Sequence, residues 1–263
     1  MNYMFCSLTH AGRSRSNNED SVTFDDATGV GVLADGMGGY NAGEVASSMA
    51  TSLIKTELTL WLSGTGGEHA SSREVRRALE NSVDSANHSI YTAARANPAY
   101  SGMGTTLVVG VFHGEKLVLG HVGDSRCYRL RGDQFLQVTK DHSLLQEQMD
   151  AGMLTPAQAA LSPLKNLVTR AMGVEDEVMP EVNELHVETG DIYLMCTDGL
   201  SDMIDDAAIA GILKNASPLT QMADELVALA NKNGGRDNIT VLLTQAVGGR
   251  EKSGLMSRWL GKH

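Results

Sequence analysis

The sequence predicts an α+β fold in which antiparallel sheets pack together with helices outside them. Three observations carry this. Segments with helical periodicity come in pairs, Ala42 to Leu62 followed by a second from Ser71, with strand-like runs grouped between them. Those runs are linked by short Gly-containing turns such as His113-Gly114 and Gly132-Asp133, which join antiparallel neighbours. A parallel sheet would instead place a helix after each strand.

Tyr3 to His10 alternates as a half-buried strand does. Ser21 to Asp26 and Thr28 to Asp35 read as a hairpin, with Asp26-Ala27-Thr28-Gly29 at or near the turn. From Ala42 to Leu62 the residues Ala46, Met49, Ala50, Leu53, Ile54, Leu58 and Trp61 recur at the helical period. Ser63 to Ala70 is a Gly-rich loop, and Ser71-Ser72-Arg73-Glu74 has the form of a capping box. Val75, Leu79, Val83, Ala86, Ile90 and Ala94 share one face of the helix it opens, which stops before Pro98. Thr105 to Phe112, Lys116 to Val122, Arg126 to Leu130 and Gln134 to Val138 then read as a meander turning at His113-Gly114, Gly123-Asp124 and Gly132-Asp133. Ser143 to Pro180 is looser and helical, with Thr155-Pro156 as cap and first-turn proline. It reads as an excursion over one face. Val182 to Val187 and Ile192 to Cys196 are strands, Ser217-Pro218 starts a last helix ended by Gly234-Gly235, and Asn238 to Val247 is the final strand. One domain over residues 1–247 follows, with a tail over 248–263 that holds Leu255, Trp259 and Leu260 and reads as a frayed or docking segment.

The chain has 263 residues and 42% hydrophobic content, enough for a substantial core. A formal net charge of −11 argues against nucleic acid and against an anionic membrane surface as partners. Cys6, Cys127 and Cys196 lack metal-site spacing and read as buried thiols of a reducing cytoplasm. Neither a signal peptide nor a membrane-length apolar run is expected.

The chemistry concentrates in carboxylates that border strand-like runs beside glycine. Asp35-Gly36-Met37-Gly38-Gly39 follows the apolar run Val30 to Ala34, and Gly123-Asp124, Asp198-Gly199 and Arg236-Asp237-Asn238 share that placement. Such a carboxylate is rigidly based and open to close approach. Taken alone, each also reads as an ordinary turn residue. Converging, they need protons or cations to coexist, and oxygen-only ligands select Mg²⁺, Mn²⁺ or Ca²⁺. The glycines let the Gly36 carbonyl turn toward a cation as well. Upstream, Gly12, Arg15, Asn18, Glu19 and Asp20 form either a polar turn or a site in which the Arg15 fork grips phosphate or carboxylate. There is no Gly-x-Ser-x-Gly elbow, and Gly102-Met103-Gly104-Thr105-Thr106 lacks the lysine of a phosphate-binding loop. His142 is singled out because it opens the excursion, although a structural histidine is the simpler reading.

In this order the motifs resemble the PPM (type 2C) metal-dependent Ser/Thr protein phosphatases of the compact bacterial kind. The stretches are Gly12-x-x-Arg15-x-x-Asn18-Glu19-Asp20, Asp35 to Gly39, Gly104-Thr105-Thr106, Val122 to Arg126, Thr139-x-Asp141-His142-Ser143, Asn166 to Gly173, Cys196 to Leu200 and Gly235 to Thr240. The resemblance implies a four-layer α-β-β-α sandwich, two antiparallel sheets flanked by helix pairs, with two to three Mn²⁺ or Mg²⁺ ions at one end. It implies that Asp35 bridges two ions, Asp198 and Asp237 complete the ligands of the first ion, and the Gly36 carbonyl joins those of the second ion. Glu19 and Asp20 would hold waters there, Asp124 with Asp198 a third ion, and Arg15 the substrate phosphate. Asn238 would support Asp237, and Ser143 to Pro180 would be the variable flap. A metal-activated water would attack phosphorus in line.

At Met37 the chain departs from many eukaryotic members, which have a histidine proposed as general acid; methionine cannot donate that proton. The implied partners are phosphorylated Ser/Thr proteins and a cognate kinase, met by a cytoplasmic monomer. Two alternatives fit the motifs less well. An inactive pseudophosphatase would lack ligands that are all present, and a partner-switching regulatory phosphatase is disfavoured by the complete Arg15 and Asp237-Asn238 motifs.

Overall fold

The computed structural model describes residues 1–39, 42–64, 67, 69–159, 162, 164 and 167–248. The tail beyond Gly248, Asn166 of the sixth motif and parts of the Gly-rich loop and flap lie outside the described residues. The strands are β1 (Asn2–His10), β2 (Asp20–Asp25), β3 (Val30–Met37), β4 (Gly104–Thr105), β5 (Leu107–His113), β6 (Lys116–Val122), β7 (Arg126–Arg131), β8 (Gln134–Gln137), β9 (Glu181–His186), β10 (Ile192–Cys196) and β11 (Ile239–Val247). The helices are α1 (Ala42–Leu62), α2 (Ser72–Ala96), α3 (Leu144–Asp150), α4 (Pro156–Ala159), α5 (Asp198–Ser201), α6 (Asp206–Lys214) and α7 (Leu219–Lys232).

The strands form two antiparallel sheets. One runs β1-β11-β10-β7-β8, and the other runs β2-β3-β5-β6-β9 with β4 added beside β3. Three apolar layers hold them in a sandwich. Val32, Ala34, Val109 and Val118 pack under Ile54 and Leu58 of α1 and Leu79, Val83 and Ile90 of α2. Leu33, Val108, Leu119, Tyr193, Met195 and Leu242 fill the space between the sheets. Leu194, Cys196, Val241 and Leu243 pack under Ile209 and Leu213 of α6 and Met222, Leu226 and Ala230 of α7. Alternation along each strand sends successive side chains to opposite layers, which is why Leu194 and Met195 lie in different ones.

Local signals account for the helix ends. Ser71 caps α2 as a capping box, its hydroxyl accepting from the Glu74 N–H while the Glu74 carboxylate accepts from the Ser71 N–H. At the flap, Thr155 Oγ1 accepts from the Gln158 N–H at 3.3 Å and so opens α4. None of these helices is long and apolar enough to cross a membrane.

Three expectations need correcting. Residues 104–138 are not a meander: β6 pairs with β5 and β9, whereas β7 pairs with β10 and β8, so the chain passes from one sheet to the other over Gly123–Ser125. A hairpin turn and a sheet-to-sheet crossing are both written as Gly-Asp between apolar runs. Gly123 has φ of +102°, and a Cβ there would lie 2.7 Å from Thr106 Cγ2, so the crossing requires glycine. The two helices after β10, α5 and α6, went unread because they are short. Finally, Cys127 and Cys196 are buried, with burial pushing both thiols up, but Cys6 is only half-buried on an edge strand.

Leu79 is fully enclosed between α2 and its sheet. Leu79→Ala should therefore cost about 2–5 kcal/mol, whereas Leu60→Ala, at a side chain 75% exposed, should change stability by less than about 0.5 kcal/mol. Paired denaturant melts check the contrast; equal losses would contradict the layer assignment.

Candidate metal centre

Both sheets and the crossing between them deliver carboxylates to one end of the sandwich. Asp35 lies near the end of β3, Asp124 in the crossing, Asp198 at the first residue of α5 directly after β10, and Asp237 just before β11. They line a cleft of about 280 Å³ together with Arg15, Glu19, Gly36, Met37, Gly38, Thr106, Val168 and Asn238. Of the residues to which the resemblance assigns metal or phosphate roles, Asp20 lies outside the lining. It stands opposite Asp35 in the β2–β3 register and is buried behind the cleft.

Backbone hydrogen bonds fix the Asp35 end. The Asp35 N–H donates to Thr106 Oγ1 at 3.0 Å, and its carbonyl accepts from the Thr106 N–H at 2.9 Å and Thr105 Oγ1 at 2.8 Å. Thr106 Oγ1 also lies 2.8 Å from Ser125 Oγ, linking the Asp35 strand to the loop that carries Asp124. A Cβ on Gly36 would collide with the Gly43 and Glu19 carbonyls, so glycine lets the first turn of α1 sit directly behind the strand end.

Asn238 organises the opposite wall. Its side-chain oxygen accepts from the Glu19 N–H at 2.8 Å, and its side-chain amide donates to the carbonyls of Asn17 at 2.9 Å and Ala11 at 3.1 Å. The N-terminal loop is thereby pinned, and Arg15 Nη2 reaches Asp237 Oδ2 at 2.7 Å. Asn238 supports Asp237 through its backbone N–H, which donates to Asp237 Oδ1 at 2.8 Å. A Cβ on Gly199 would overlap the Asn238 carbonyl, so α5 and the start of β11 meet there only because the residue is glycine.

The electrostatics reflect crowding. Burial, then Asp20, Asp198, Asp124 and Asp237, hold the Asp35 carboxyl well above the usual carboxylate range. Burial and Asp198 push Asp124 up to about 7, with Asp141 adding to the shift and Arg126 opposing it. Asp20 is also pushed up to about 7 by burial, although Thr240 and Thr197 donate to its Oδ2 at 2.7 and 2.9 Å. Its other oxygen, Oδ1, is buried without a hydrogen-bond partner. One Asp20 oxygen ties the two sheets together.

The residues present fit divalent cations. Among the described residues the cleft offers carboxylates and a backbone carbonyl but no histidine or cysteine, the donor set of Mg²⁺ or Mn²⁺. Among the described residues Arg15 is the one cationic side chain lining it, too little to neutralise four aspartates. Thr106, Ser125 and Val168 escaped the sequence reading as site residues. Thr106 was visible as part of Gly104-Thr105-Thr106, but nothing local says that its hydroxyl holds the Asp35 amide.

A two-sheet sandwich with an oxygen-only, arginine-flanked cleft defines a metal-dependent phosphoester hydrolase. Residues 9–244 match the family described as Protein phosphatase 2C. Protein phosphatase PhpP of Streptococcus pneumoniae is 38% identical over 239 residues, 90% of this chain and 94% of that protein. The crystal structure of the Mycobacterium tuberculosis serine/threonine phosphatase PstP/Ppp superposes with a TM-score of 0.86 at 35% identity, covering 94% of this chain and 100% of that one. The catalytic domain of PstP in complex with two manganese ions gives a TM-score of 0.82 at 34% identity, covering 94% and 99%. The chain belongs to the protein phosphatase 2C family, as a metal-dependent serine/threonine phosphatase of the bacterial type.

The raised carboxyls make metal-free stability depend on pH. Unfolded aspartates titrate near about 4, whereas folded Asp20 and Asp124 titrate near 7. Between those values the folded state holds protons that the unfolded state has released. Their contribution is fully present below the unfolded pKa and is lost as pH rises through about 7. Chelator-treated protein should melt at a higher temperature near about pH 5.5 than near about pH 8, and Mn²⁺ should raise the melting temperature most at the higher pH. Asp124→Asn should flatten the metal-free pH dependence. Melting temperatures that fall with acidification across this window would contradict it.

Proposed function

We propose that this phosphatase removes phosphate from phosphoserine and phosphothreonine by direct in-line attack of water on phosphorus, opposing a Ser/Thr kinase in the cytoplasm. The observation that carries the reading is the convergence of Asp35, Asp124, Asp198 and Asp237 with Arg15 in one cleft. The free thiols of Cys6, Cys127 and Cys196 suit a reducing compartment.

Asp35, Asp198, Asp237 and the Gly36 carbonyl would hold two Mn²⁺ or Mg²⁺ ions, and Asp124 with Asp198 a third. Glu19, whose carboxyl burial holds above its ordinary value, would support the outer side. When bound, the ions lower the pKa of water and offset charge on the phosphoryl oxygens.

Arg15 does the remaining phosphate recognition. Asp237 occupies one of its N–H groups, and 49% of its side chain is exposed, so a pre-aimed guanidinium edge stays free for two oxygens. Thr106 Oγ1 is engaged by the Asp35 amide and Ser125, and among the described residues no cysteine or histidine lines the cleft, which favours direct attack by water over a phosphoenzyme. Met37 lines the cleft where a proton donor could stand. Its thioether cannot serve, and the leaving oxygen takes its proton from water.

Asp35→Asn and Asp198→Asn should each lower Mn²⁺-dependent hydrolysis of p-nitrophenyl phosphate at least about a hundredfold; normal activity in both folded variants would overturn the metal assignment. Arg15→Ala should raise KM for a phosphopeptide about 10- to 100-fold, the worth of a charge-assisted hydrogen bond. Met37→Ala should leave turnover of the aryl phosphate unchanged, and a loss of turnover with intact metal binding would show that the thioether contributes.

A further inference from the structure

A second set of metal-ligating side chains lies outside the carboxylate cleft. His121 stands on β6, Glu181 opens β9 directly opposite it in register, and His142 stands just before α3. One ligand atom from each of the three lies within 4.8 Å of the others. The imidazoles are stacked, with centroids 4.5 Å apart and planes 20° from parallel. His121 is fully enclosed and His142 is 6% exposed, whereas the Glu181 side chain is 42% exposed and opens the cluster to solvent.

The hydrogen bonds leave two nitrogens over. His121 Nε2 lies 2.8 Å from the Lys140 carbonyl, which can only accept, so Nε2 carries the proton and Nδ1 keeps a free lone pair. His142 Nδ1 accepts from the Gly123 N–H at 3.1 Å, so the neutral ring carries its proton on Nε2. His142 Nε2 is 3.7 Å from Glu181 Oε2, too far for a hydrogen bond. Both leftover nitrogens, His121 Nδ1 and His142 Nε2, are buried without partners. Burial, His121 and Arg170 push the His142 pKa down to about 4, which keeps the ring neutral. Two neutral imidazoles and one carboxylate are the donors of zinc and related nitrogen-seeking ions, unlike the oxygen-only set in the cleft. The Arg170 charge opposes a cation here and the Glu181 carboxylate offsets it.

We propose that His121, His142 and Glu181 form a second cation site that takes a borderline divalent ion such as Zn²⁺, and that its occupancy acts on the Gly123–Asp124 crossing. The coupling follows from the tautomers. An ion on His142 Nε2 displaces that proton to Nδ1, with no net change in protons bound. Nδ1–H then faces the Gly123 N–H, and the bond that holds the residue before Asp124 is lost. A cation at the His site thus releases the crossing that carries a cleft carboxylate.

The test uses the full chain carrying Asp198→Asn, to weaken zinc in the cleft, loaded with one equivalent of Zn²⁺. Among the described residues no histidine lines the cleft, so imidazole scattering in zinc X-ray absorption reports on ligands outside it. The expected result is imidazole ligation, with affinity by equilibrium dialysis falling at least about tenfold in both His121→Gln and Glu181→Gln and holding in His88→Gln. Because His121 is enclosed and its variant can fail to fold, the half-exposed Glu181→Gln is the deciding variant. Oxygen-only ligation, no binding (a water completing the cluster instead), or imidazole-bound zinc unchanged by Glu181→Gln would each overturn the site. Zinc should also speed hydrogen exchange at the Gly123 amide, and unchanged protection would overturn the coupling.

Discussion

Mutual repulsion among carboxylates is the constraint on which this structure turns. Asp20 and Asp35 come from one sheet, Asp198 and Asp237 from the other, and Asp124 from the chain that passes between them. After burial, Asp198 raises the carboxyls of Asp20, Asp35 and Asp124, and Asp237 raises those of Asp20 and Asp35. A core chosen for stability alone would not gather five acids, and such local conflict is expected where a site must be ready for a cation. The fold offsets it with three apolar layers that do not depend on the site.

Polar bonds then set how closely the two sheets meet at the acidic end. The Asp20 carboxylate accepts from Thr197 and Thr240, spanning from one sheet to the other. Asn238 gathers the Ala11, Asn17 and Glu19 backbone around the start of β11. Thr106 and Ser125 join the Asp35 strand to the crossing. Each of these side chains is short, so the acids sit on rigid supports rather than on long flexible stems.

Much of this was legible in the sequence. α1 runs from Ala42 to Leu62 as its periodicity indicates, the capping box at Ser71 opens α2, and Ile192–Cys196 is a strand as read. The four aspartates and Arg15 meet in one cleft as their shared placement beside glycine suggested. What was not legible is non-local. Whether β7 continues the sheet of β6 or joins the other one depends on β10, residues away in sequence, and no pattern within 104–138 encodes it. Asp20 was expected, with Glu19, to hold waters around an ion, and only the meeting of the sheets places Thr197 and Thr240 against it. The His121–Glu181 pairing was hidden for the same reason: a cross-strand partner is invisible until register is known.

The pairing of β1 with β11, from Asn2↔Val247 to His10↔Ile239, carries a consequence for the timing of assembly. On the ribosome the first strand emerges early and waits, because its neighbour is made near the end of the domain. Arg15 follows β1 and Asp237 precedes β11, so their 2.7 Å contact forms only after that long loop closes. Such distant closure is slow. Helix pair and sheet around α1 and α2 can organise beforehand, but a nascent chain has no complete acidic cleft. Until β11 is in place, the acidic cleft lacks the strand that anchors Asp237 and its contact with Arg15.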